Sequence, residues 1–79
     1  MHKQTKYTVK AYLNRNFIAL MDMLDTDFWS QVEEFVWQNC QDGMNCIIVN
    51  NELGTKMYAR AEDFTEDTVE VNELIKGGI

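Results

Sequence analysis

Catalysis needs a nucleophile with a base, a ligand cluster or an end that can be activated, and this 79-residue chain offers few of these. Ser30 is its only serine and His2 its only histidine. Ser30 falls within a helical pattern and His2 near the start, so no Ser-His or Cys-His couple can be assembled. Cys40 and Cys46 read as free thiols packed as small hydrophobes. With a single histidine beside them there is no ligand set for zinc. Carboxylates are plentiful, but among 13 acids any pairing says little about general acid–base chemistry. The expectation is a protein that is not an enzyme and holds no metal or cofactor.

Two features remain that could act. One is the pair Gly77-Gly78 in "NELIKGGI", which is either an acyl donor awaiting activation or the point where a last helix stops. The other is the acidic cluster of Glu62, Asp63, Glu66 and Asp67, continued by Glu70 and Glu73. It fits a docking surface for a basic partner, a mimic of nucleic-acid phosphates, or a solvated run. A calcium site is a further reading, which the spacing and the missing glycine disfavour.

The bulk numbers limit the elements that could position these groups. A composition of 46% hydrophobic and 25% charged residues is that of one small globular domain. The start, "MHKQTKYTVKAY", lacks the apolar stretch of a signal peptide, and no run reaches membrane-spanning length. A cytoplasmic protein with reduced thiols and no membrane partner is expected. Net charge is −6, yet Lys3, Lys6, Lys10 and Arg15 come before any acid. All 13 acids follow, against only Lys56, Arg60 and Lys76. Such a body repels phosphates except at its first strand, so direct nucleic-acid binding through it is not expected.

Along the chain, "KYTVKAYL" alternates, with Tyr7, Val9, Ala11 and Leu13 on one face. "NRN" then suits a three-residue hairpin with Asn16 left-handed. "FIALMDML" is apolar on both faces and reads as a central strand. "DTD" at 25–27 offers caps for a helix over 27–41 that stops at Asp42-Gly43. "NCIIVN" and "TKMYARAEDF" form a second hairpin around "NNELG". The order is ββαββ, an α+β domain with one helix across an antiparallel sheet. The tail "TEDTVEVNELIKGGI" is a short helix or a fifth strand. Its acids, Lys76 and Gly77 favour helix and would align Glu66, Glu70 and Glu73.

On the helix, Phe28, Trp29, Val32, Phe35, Val36 and Cys40 share a stripe, and Asn39 lies near its middle. A buried Asn needs partners, which local carbonyls in the last turn can supply. Trp37 falls about 130° from the stripe, beside Glu33 and Glu34. It is either an anchor for a partner protein or a ring covered by the folded-back tail.

The stretch "IIVNNELGTKMYARAEDFTEDTVEVNELIKGG", residues 47–78, resembles the closing third of ubiquitin-like β-grasp sulfur carriers. That resemblance implies Gly78 as acyl carrier and Gly77 as its flexible neighbour, after loss of Ile79. In size, acidity and lack of cofactor chemistry the chain is instead similar to small inhibitors made by phages and mobile elements, including anti-CRISPR and anti-restriction proteins. That similarity implies a protein-binding inhibitor or regulator, in which Trp37, Glu33, Glu34 and the 62–73 acids face a basic partner. A homodimer is also compatible.

Overall fold

The computed structural model describes residues 4–13, 16–68 and 70–77. Strands β1 (Tyr7–Tyr12) and β2 (Leu20–Thr26) precede helix α1 (Trp29–Gln41), followed by β3 (Asn45–Asn50), β4 (Thr55–Ala59) and the two-residue β5 (Lys76–Gly77). All pairings are antiparallel and the sheet order is β2-β1-β3-β4-β5. This is the expected α+β arrangement, with a short terminal strand. Because β2 and β3 both run against β1, they are parallel to each other. The helix is the crossover that parallel strands require.

Strand parity sets the core. Tyr7, Val9 and Ala11 pair with Asn50, Ile48 and Cys46, and these point toward α1. Val9, Ala11, Cys46, Ile48 and Ala59 of the sheet are buried with Val32, Val36 and Cys40 of the helix. Val71 and Leu74 of the tail close this core. Trp29 packs on Tyr7 with ring centroids 5.3 Å apart. Leu13, assigned to the same face by alternation, lies beyond the end of β1 and is exposed.

Asparagines tie the turns to the sheet. Asn50 Oδ1 accepts the Glu52 and Leu53 N–H groups, and Gly54 closes that turn at φ +70°. Asn51 Nδ2 donates to the Thr5 carbonyl, and Asn45 Oδ1 accepts from Ala61 N–H. Asn39 Nδ2 donates to the Phe35 carbonyl at 2.9 Å, the local solution its place in the last turn suggested. The helix ends as expected, with Gly43 at φ +89°.

Several expectations need correction. Strand β2 is an edge strand, not a central one: it pairs with β1 alone, and Leu20, Met21 and Met23 are 52%, 53% and 50% exposed. It starts at Leu20 rather than Phe17, and the left-handed residue in the preceding loop is Phe17, at φ 57°. Asn14 and Arg15 lie outside the described residues. The helix starts at Trp29 with no side-chain cap. Thr26 Oγ1 accepts the Phe28 N–H, while Asp27 accepts the Lys6 N–H instead, and Phe28 itself is exposed.

The tail is not an α-helix. Ala61–Asp63 and Val71–Glu73 are single 3-10 turns and Lys76–Gly77 pairs with β4, so Glu66, Glu70 and Glu73 form no helical ladder. The β-branched Thr68 and Val71 disfavour a continuous helix, and burying Val71 and Leu74 against α1 holds the segment down instead. Among the described residues no helix is long and apolar enough to cross a membrane.

Candidate functional site

Helix α1 lies over β1 and β3, and its flank toward β2 leaves a cleft of about 430 Å³. Asp22 and Leu24 of β2 form one wall; Gln31, Glu34, Phe35, Gln38 and Asn39 of α1 form the other. The spacing explains the lining. Asp22 and Leu24 pair with Ala11 and Val9, so parity turns them toward the helix. Gln31, Glu34, Phe35 and Gln38 recur at three- and four-residue intervals and share one helix flank. The cleft therefore has an apolar floor, Leu24 with Phe35, and two carboxylates, Asp22 and Glu34.

The outer rim of β2 belongs to the same surface. In an antiparallel ladder every second residue turns its N–H and C=O away from its partner strand. Met23 is such a residue: its N–H is taken up by the Asp22 carboxylate at 2.8 Å. A bulge opposite Ala11 and Tyr12 leaves Met21 unpaired in the register and twists the end of the strand. Ile18, Leu20, Met21 and Met23 make this end of the molecule apolar and exposed.

The residues singled out in the sequence are divided by the fold. Trp37 is half-buried, and its ring meets Phe64 edge-on at 5.0 Å, so the tail does fold over that helix face. Glu33 shares Trp37's flank one turn earlier, while Glu34 lines the cleft on the other side. The acids Glu62, Asp63, Glu66, Asp67, Glu70 and Glu73 are exposed along the tail, and Asp63 lies 3.8 Å from Lys76 Nζ. Gly77 sits opposite Met57 in β5; Gly78 and Ile79 lie outside the described residues. Sequence reading missed Asp22 and Leu24. The signal was present in the alternation of Asp22 with Leu24, but a strand read as central has no outer rim to offer.

Cys40 and Cys46 are free and buried side by side. A hydrogen bond between them holds the Cys40 thiol below its ordinary value, and the same bond together with burial pushes Cys46 well above it. Among the described residues no group of three or more His, Cys, Asp or Glu is placed to hold a metal ion.

The chain matches no protein-family model, no curated protein and no solved structure.

Proposed function

We propose that this is a non-enzymatic protein-binding module, an inhibitor or regulator that takes an extended segment of another protein onto its β2 edge. The observation that carries this reading is the seven-residue edge strand lying open beside the cleft it shares with α1. An added strand would gain main-chain hydrogen bonds from the rim, and its alternate side chains would enter the cleft. The floor of Leu24 and Phe35 suits apolar residues, and Asp22 and Glu34 suit Lys or Arg. The partner segment therefore carries apolar and basic residues in turn at every second position, the positions that face the cleft. Its carbonyl takes the Met23 N–H from Asp22, which frees that carboxylate for a basic side chain. The exposed acids of α1 and the tail, including Glu34, Glu66, Asp67 and Glu70, with the half-buried Glu33, add a field that speeds encounter with a basic protein.

The test is selection from a displayed peptide library, followed by binding to Met23→Pro. Proline is tolerated on an edge strand where its missing N–H faces outward. The wild-type chain should enrich peptides with apolar and basic residues in turn at every second position. The variant should keep its unfolding midpoint but bind them about tenfold more weakly, the worth of one lost hydrogen bond. Selected peptides that bind both chains equally would show that the rim is not the site.

A further inference from the structure

The opposite face of the sheet carries no helix among the described residues, and its side chains differ in kind from the rest of the surface. Lys10 pairs across to Ile47, Ile47 to Tyr58, and Tyr58 to Lys76, which places these four in one row on that face. Lys56 sits on the same side opposite Val49, and Arg60 follows Tyr58 with the same parity. Four of the five described Lys and Arg residues thus gather on one face, although 46 positions separate Lys10 from Lys56 in the chain. Lys56, Arg60 and Lys76 are exposed. The basic start and the basic residues near the end, separate in sequence, become one surface.

Rings interleave with those cations. Phe17 leans from its loop onto the sheet, 5.7 Å from Tyr12 and 5.7 Å from Tyr58, with the Arg60 guanidinium 5.7 Å from its ring centre. It does so from a left-handed backbone, φ 57°, a conformation that bulky L-residues disfavour. Strain of this kind persists where the surroundings hold a side chain in place. Here it holds an aromatic ring over a cationic sheet face.

We propose that this face binds single-stranded nucleic acid, with phosphates on Lys10, Lys56, Arg60 and Lys76 and unstacked bases on the rings of Tyr12, Phe17 and Tyr58. A flat sheet with half-exposed rings admits splayed bases, which a duplex cannot present. An acidic peptide would use the cations and make no use of the exposed ring surface. The negative net charge does not oppose this. Glu33 and Glu34 belong to α1, and Glu73 to the 3-10 turn packed against it. The molecule is 22 Å across at its narrowest, and exposed charges are screened beyond a Debye length of about 10 Å in 0.1 M salt. Two acids reach this face: Asp25, occupied by the Thr8 hydroxyl at 2.7 Å, and Asp63, 3.8 Å from Lys76 Nζ, which a phosphate on Lys76 would displace.

The experiment is fluorescence anisotropy with labelled oligothymidylate and oligouridylate of about ten nucleotides, between about 50 and 200 mM salt. Affinity should fall with salt with a log–log slope of about −2 to −3, as expected for three or four phosphate contacts on a single strand. Tyr58→Ala should weaken binding about 5- to 150-fold, the range for one lost base stack, and Tyr58→Phe should restore it. The Lys56→Glu, Arg60→Glu double variant changes only exposed side chains, so it keeps the fold and should abolish binding. Absence of binding at the lowest salt overturns the proposal, as does binding that survives the double variant. Equal competition by a poly-glutamate peptide overturns it in favour of an acidic protein partner.

Discussion

Strand β5, at one edge of the sheet, is two residues long, carries Lys76 beside Asp63, and is held by the buried Val71 and Leu74 just before it. Strand β2, at the other edge, is seven residues long and exposes Leu20, Met21 and Met23. Short, charged edges are how folded chains avoid unwanted pairing, and long apolar edges invite it. One protective device does appear on β2: the Asp22 carboxylate that occupies the Met23 N–H. The difference teaches where this small domain places its stability and where it keeps a surface in reserve. The β5 side completes the core, whereas β2 adds no residue to the buried apolar cluster and buries only Thr26.

That contrast can be broken from the β5 side first. Leu74→Ala should destabilise the fold by about 3 kcal/mol, because Leu74 is 1% exposed and its removal opens a cavity beneath the tail. Urea unfolding measures it, and a change below about 1 kcal/mol would mean the tail is not part of the core. Trp37→Ala comes next, at about 2 kcal/mol, since a half-buried indole and its edge-on contact with Phe64 are lost together. Unchanged stability there would return Trp37 to the role of an exposed anchor. The smallest effect belongs to Lys76→Ala. Its side chain is 66% exposed and its ion pair with Asp63 spans 3.8 Å, so the midpoint should move by less than about 0.5 kcal/mol. A larger loss would show that charge, rather than Leu74, holds the β5 edge.

The α+β class, both hairpins and the inward faces of β1, β3 and β4 were legible because alternation and turn residues are local signals. So was the answer for Asn39, whose acceptor lies one helical turn away. Strand order was not legible. The pairing of β1 with β3 joins Tyr7 to Asn50, and nothing in either strand names the other. Without that pairing "FIALMDML" looks central, since alternation reports which residues face alike and not whether anything covers them. The tail misled for a related reason. Its acids, Lys76 and Gly77 are helix signals, and Val71 and Leu74 are equally able to pin an irregular segment. The cationic sheet face was hidden because a linear count separates Lys10 from Lys56, while the sheet brings their strands within one neighbour of each other.

The place of β1 between β2 and β3 has a consequence in time. Its hairpin partner follows within a few residues, but its other partner is about 35 residues further on. At synthesis rates of about 5–20 residues per second that interval is roughly 2–7 s. For much of that time β1 has one rim satisfied and the other bare, on a strand that ends up in the interior of the sheet. The nascent hairpin is therefore most prone to the wrong neighbour before α1 has been made, and closing the sheet waits on a distant contact that folds slowly.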